Sequence, residues 1–293
     1  TVSGESAGAA NALHLALSPL SDTKISGVIH QSGGWPVVGG PTPAEATARA
    51  LQLQKTLLGP NGSLEGLRGV PVQKIIDVTG DIYAGMRFGA IQDAESFPRT
   101  LQQQVMDGDL PPLNIIIGTN ANESLLYIKP EASVASYLEG RVPAQRWPDV
   151  LAAAGDDLDE LATFDRLGTA VTFLCPSLTL ANAVSAAGGR AFVYRFDRVR
   201  PGFDSIGAYH GAELPYVFDR HDSWLPTEPV DRTLTRLMLD YWQGFIAQGD
   251  PGGSELMAWP PWQPEDYQAV IFSEESSVMP HPDVEFCSAF SGT

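Results

Sequence analysis

Thr1-Val2-Ser3-Gly4-Glu5-Ser6-Ala7-Gly8-Ala9-Ala10 opens the chain and contains a G-x-S-x-G run at Gly4-Glu5-Ser6-Ala7-Gly8. The spacing has a chemical reason. A serine that attacks a carbonyl sits on a sharp strand-to-helix turn, where side chains two residues to either side would collide. Glycines at 4 and 8 remove them. The residues after it read as the required helix, with Ala9, Ala10, Leu13 and Leu17 apolar and Ser18-Pro19 as the stop. Its N-terminus would lie behind Ser6 and aim the Ala7 N–H at a developing oxyanion. Taken alone, the five residues also describe a Gly-rich turn, so the rest of the chain has to decide.

Working outward, residues 25–31 read as a short buried strand ending in Ser32-Gly33-Gly34, so strand, helix and strand follow in quick succession. That order predicts a parallel βαβ sheet. Residues 43–58 have a helical pattern closed by Gly59-Pro60, and 61–82 form two short helices broken at Gly69-Val70-Pro71. After a helix at 101–106, Asn114-Ile115-Ile116-Ile117-Gly118-Thr119 carries three isoleucines in a row. Such a run suits a strand buried on both faces. Residues 130–165 are helical and polar. Residues 167–187 form a long apolar helix bent near Pro176. Residues 191–196 are a strand that leads into a loop holding Tyr209-His210-Gly211. A helix with one apolar face runs from 233 to Gly249, and 267–272 is a late strand at a sheet edge.

Composition narrows the function. The 293 residues are 43% hydrophobic, with 18 Lys+Arg against 35 Asp+Glu and a formal net charge of -17. That balance repels phosphate backbones and anionic lipid, so neither nucleic acid nor a membrane surface is expected as a partner. No run approaches about 20 apolar residues, so no membrane-spanning helix is expected. The acidic cluster Asp156, Asp157, Asp159 and Glu160 reads as a solvated face, not a metal site. Cys175 and Cys287 show no metal pattern; a disulfide and two buried thiols are both open. No metal and no cofactor are expected.

A serine nucleophile needs a base, and the base an orienting acid, in the order Ser, Asp or Glu, His on such a sheet. Ser6, Glu123 and His210 occur in that order, each in a loop after a predicted strand. Of the five histidines, His14 lies in the helix after the elbow, His30 in a strand and His281 in a Pro-flanked tail. His221 sits in a plain polar segment.

These blocks together resemble the type B carboxylesterases, the family of carboxylesterases and cholinesterases with the α/β-hydrolase fold. Gly4-Glu5-Ser6-Ala7-Gly8 is similar to the family's G-E-S-A-G, and Gln31-Ser32-Gly33 to its Q-S-G. Gly118-Thr119-Asn120 with Asn122-Glu123 resembles G-x-N-x-x-E-G, although Ser124 stands where glycine is usual. His210-Gly211-Ala212-Glu213-Leu214 resembles H-G-x-E-[LI], and Trp242 to Pro251 resembles W-x-x-F-x-x-x-G-x-P.

The resemblance implies an α/β fold, with residues 1–293 forming the C-terminal portion of a single α/β-hydrolase domain. The sheet would be mostly parallel and flanked by helices, with its N-terminal strands and Gly-rich oxyanion loop absent. It implies a serine hydrolase that cleaves carboxylic esters of small molecules. Ser6, Glu123 and His210 would be catalytic, and Ala7 would donate to the oxyanion. Phe88 and Trp35 fall among the substrate-binding positions. Glu5 is expected to support the site through buried polar contacts, with Ser32 as its candidate partner. The expected partner, besides the ester, is an N-terminal half in the same or a separate chain. Two readings compete: a non-catalytic binding or adhesion protein, and an inert fragment lacking the oxyanion loop.

Overall fold

A computed structural model describes residues 1–21, 25–34, 41–86, 89–155, 157–254 and 256–291. The chain divides into two compact units. Residues 1–17, 21–36 and 101–293 form the first, which holds every strand named below. Residues 18–20 and 37–100 form the second.

In the first unit, strand β1 (Val2–Glu5) leads into helix α1 (Ala7–Leu17), followed by β2 (Val28–Gln31). The second unit carries α2 (Pro43–Leu58), α3 (Leu64–Arg68) and α4 (Val72–Ile82). Thr42 and Glu45 form a reciprocal capping box at the start of α2, which satisfies N–H groups the helix itself cannot. The first unit resumes with α5 (Leu101–Met106), β3 (Asn114–Asn120), α6 (Val134–Leu138), α7 (Trp147–Ala154), α8 (Glu160–Thr169) and α9 (Cys175–Ala186). It ends with β4 (Arg190–Phe196), α10 (Leu214–Val217), α11 (Pro229–Gln248), β5 (Gln268–Phe272), β6 (Ser277–Pro280) and α12 (Val284–Ser291).

The six strands lie in the order β1-β2-β3-β4-β5-β6. All neighbours are parallel except the antiparallel pair β5 and β6. Alternation along each strand divides the core in two. Val28, Ile115, Ile117, Ala191 and Val193 face Leu13 of α1 and Leu178, Ala181 and Val184 of α9. Ile29, Ile116, Phe192, Tyr194 and Phe196 face Leu234, Met238, Tyr241 and Phe245 of α11. The three-isoleucine run is apolar throughout because helices cover both faces of the sheet.

Three expectations need correction. The late strand β5 is not an edge, because β6 pairs outside it. The helix around Pro176 is interrupted one turn earlier, by a π-helical turn at Ala170–Leu174. Proline has no N–H to give and its ring crowds the carbonyl four residues back, here that of Thr172. A Cβ built on Gly34 would lie 2.0 Å from that carbonyl oxygen, so only glycine fits opposite the turn. Finally, the continuous helical run Glu160–Ala186 is long and apolar enough to cross a membrane by length and composition. Its apolar side chains, Leu174, Leu178, Leu180 and Val184 among them, are packed into the sheet's core instead.

Cys175 and Cys287 form a disulfide that ties the start of α9 to α12 across 112 residues. Closing a loop of this length stabilises a fold by about 4–5 kcal/mol in the chain-entropy account.

At the elbow the two glycines differ. A Cβ on Gly4 would lie 2.1 Å from the backbone carbon of Gly8, whereas one on Gly8 meets no heavy atom within 4 Å. Only the first glycine is therefore demanded by the described residues. Gly4→Ala is expected to displace the turn and lower the melting temperature sharply, and Gly8→Ala to change it little. Thermal denaturation of the two variants checks the contrast.

Candidate active site

Ser6, Glu123 and His210 all follow the carboxyl ends of parallel strands, where open α/β sheets place their chemistry. Ser6 follows β1 with φ 57°, a left-handed backbone that a non-glycine residue rarely adopts. Its N–H donates to the Gln31 carbonyl at 2.8 Å, which pins the turn to the end of β2. Ala7 opens α1, and among the described residues its N–H has no partner.

Glu123 is fully buried, just beyond β3. One carboxylate oxygen, Oε1, accepts from Ser32 Oγ at 2.6 Å and from the Asn120 N–H at 2.7 Å. The other, Oε2, lies 2.6 Å from His210 Nδ1. That bond assigns the proton to Nδ1 and leaves Nε2 as the basic nitrogen. Nε2 lies 3.1 Å from Glu5 Oε1. The pair is close but not aligned for a hydrogen bond, and Glu5 Oε1 is otherwise without a partner among the described residues. Glu5 directly precedes Ser6, so this contact brings the His210 imidazole to the elbow. Among the described residues the Ser6 hydroxyl makes no hydrogen bond in this resting arrangement.

Ser32 therefore serves Glu123, and Glu5 faces His210. The expected Glu5–Ser32 contact is replaced because the parallel register of β2 on β3 sets Gln31 opposite Gly118, which carries Ser32 towards the acid loop. Phe88 and Trp35 lie outside the described residues. Two neighbours of His210 carried no signal in the sequence. The Phe173 ring, on the π-turn, lies 4.9 Å from the His210 ring, and Tyr127 approaches it edge-on at 5.9 Å.

A second buried carboxyl backs the site. Glu213 accepts from Gln31 Nε2 at 2.9 Å and from Asn120 Nδ2 at 2.6 Å. Burial, reinforced by the Glu123 charge, pushes its carboxyl up to about 7. Burial alone would push the His210 imidazole down. The hydrogen bond to Glu123 and the charges of Glu123, Glu5 and Glu213 outweigh it and hold the imidazole above its ordinary value. Glu5 is also raised, mainly by burial. Among the described residues, no group of three or more His, Cys, Asp or Glu side chains could hold a metal ion.

A basic imidazole held by a buried carboxylate beside a strained serine turn can activate a hydroxyl for attack on a carbonyl. Comparisons with known proteins agree with the fold that carries it. The carboxylesterase family model matches residues 151–289. Over 97% of its length the chain is 24% identical to the para-nitrobenzyl esterase of Bacillus subtilis strain 168, covering 60% of that protein. It is 27% identical to the acetylcholinesterase of Bungarus fasciatus, over 98% of the chain and 54% of the relative. Among solved structures, the Geobacillus stearothermophilus carboxylesterase superposes with a TM-score of 0.79 at 23% identity, covering 98% of this chain and 63% of that one. The chain is similar to the carboxylesterase family over residues 151–289, and it spans a little over half the length of the curated relatives it matches.

Proposed function

We propose that this chain carries the nucleophile, acid and base of a carboxylic-ester hydrolase, with Ser6, Glu123 and His210 in those roles. One observation supports the reading most: His210 is held at 2.6 Å by the buried Glu123 while its other nitrogen faces Glu5, the residue before Ser6. His210 Nε2 takes the Ser6 proton as Oγ bonds to the ester carbonyl carbon. The tetrahedral oxyanion accepts from Ala7 N–H. His210 then gives the proton to the departing alcohol, leaving an acyl-Ser6. Water, deprotonated by the same nitrogen, attacks that acyl group; the acyl–Oγ bond breaks, His210 Nε2 returns the proton to Ser6 Oγ, and the acid is released. Glu123 keeps the proton on Nδ1 and stabilises the imidazolium. The serine–base bond of such sites often tightens only when ligand binds.

Strand β1 pairs with β2 alone among the described residues. The proposal therefore includes a segment outside the described residues, in the same or a separate chain, that pairs with β1 and adds further oxyanion donors. The substrates are small-molecule esters.

The test is covalent labelling by a fluorophosphonate, mapped by peptide mass, with its rate followed against pH. The adduct is expected on Ser6. Labelling needs neutral His210, whose pKa is raised, so the rate should fall with decreasing pH at values above 6.5, the ordinary histidine pKa. Glu5→Gln removes one raising charge and should shift that limb to lower pH. An adduct on another serine, or a rate flat across this range, would refute the assignment.

A further inference from the structure

We infer that Asp165 is a positioning residue that sets the distance between Glu123 and His210; the inference rests on the triad proposed above. Asp165 lies on α8 and is 2% exposed. Its Oδ1 accepts from the Ser124 N–H at 2.9 Å and its Oδ2 from Asn122 Nδ2 at 2.9 Å. The carboxylate thus grips the residue on each side of Glu123. Thr169 Oγ1 approaches from the same helix at 3.4 Å.

Asn122 carries the grip to the base. Its N–H donates to the Ala208 carbonyl at 3.0 Å, and its Oδ1 accepts from the Ala208 N–H at 3.0 Å. Asn122 also bridges Tyr209 in parallel fashion, next to His210. Two glycines let these elements close up. A Cβ on Gly207 would lie 2.2 Å from Asn122 Oδ1, and one on Gly168 would lie 2.5 Å from Ser124 Oγ. Asp165, Asn122 and Ala208 form a short ladder whose length fixes how the acid meets the base.

A charge in this place needs a reason. Burial raises the Asp165 carboxyl, and the donors that pull it back are the neutral groups of Asn122, Ser124, Thr169 and Leu125. Its neighbour Arg166 pairs with Asp283 instead. Burying an unpaired carboxylate is costly. The return is geometric: a carboxylate offers two acceptor oxygens to two converging donors, whereas an amide of the same size offers one.

That difference supplies the test. Asp165→Asn keeps the shape but turns an N–H₂ on either Asn122 Nδ2 or the Ser124 N–H. The double variant D165N/N122D restores every bond with one polarity reversed. The amide it places at position 165 donates to the carboxylate it places at position 122, and that carboxylate still accepts from the Ala208 N–H. Three quantities are measured on each protein: the far-downfield proton resonance of His210 Nδ1–H, the fluorophosphonate labelling rate of Ser6, and the melting temperature. D165N is expected to shift or broaden the resonance and to slow labelling by up to about 100-fold, the usual cost of a misplaced catalytic group. The double variant should recover both. If D165N does not fold, Asn122→Ser, which removes the amide arm, is expected to give the same two losses. The inference is overturned if D165N or N122S keeps both the resonance and the rate. It is also overturned if the double variant melts as the unmodified protein does yet recovers neither, or if the unmodified protein shows no such resonance. Failure of the unmodified protein to label, with the resonance present and responsive to D165N, would refute the hydrolase reading and leave the positioning role standing.

Discussion

Ser6→Ala is expected to abolish fluorophosphonate labelling and to lower turnover of a p-nitrophenyl ester by about a millionfold, the cost of removing a triad serine. Among the described residues, the Ser32 hydroxyl is not free to substitute, because its Oγ is committed to Glu123 at 2.6 Å. The fold should be unaffected. Alanine keeps the Cβ and therefore the strain of φ 57°. Ser6→Gly separates the two effects. A left-handed backbone costs a non-glycine residue about 1–3 kcal/mol, and glycine removes that cost. Ser6→Gly should thus be equally inactive and more stable than Ser6→Ala. Turnover retained in Ser6→Ala would show that the hydrolysis comes from elsewhere in the chain or from a contaminant.

The sharp turn at Ser6 and the parallel sheet were legible because each rests on a local rule. Gly4 must be small where the chain folds back on Gly8, and Ile115, Ile116 and Ile117 must all be apolar because both faces are covered. Strand β6 escaped because Ser277-Val278-Met279-Pro280 is short, half exposed and ends in proline, so period-two alternation has nothing to act on. The partners of the site residues escaped for another reason. Ser32 meets Glu123 across 91 positions and Gln31 meets Glu213 across 182. Strand register sets such pairs, and no spacing in the sequence encodes them. Phe173 was hidden inside an apolar helix. It reaches His210 from the π-turn, and that turn follows from Pro176 acting on the carbonyl of Thr172.

Glu123→Gln is expected to lower kcat by about 10⁴-fold with little change in KM, as a carboxylate-to-amide change does in other triads. The hydrogen bonds dictate which way the amide turns. Oε1 of Glu123 receives two donors, Ser32 Oγ at 2.6 Å and the Asn120 N–H at 2.7 Å, while Oε2 receives only His210 Nδ1 at 2.6 Å. A glutamine carbonyl takes the side with two donors, so its N–H₂ points at His210 Nδ1. The imidazole then accepts at Nδ1 and carries its proton on Nε2, facing the elbow in the tautomer that cannot take the Ser6 proton. Losing the Glu123 charge and hydrogen bond also removes two of the causes that raise the imidazole. The acid limb of the residual activity should therefore move to lower pH. Adding Ser32→Ala removes one of the two competing donors, lets the amide turn over more freely and should recover part of the lost rate. Full activity in Glu123→Gln, or an acid limb that stays where it was, would mean that another carboxylate orients His210.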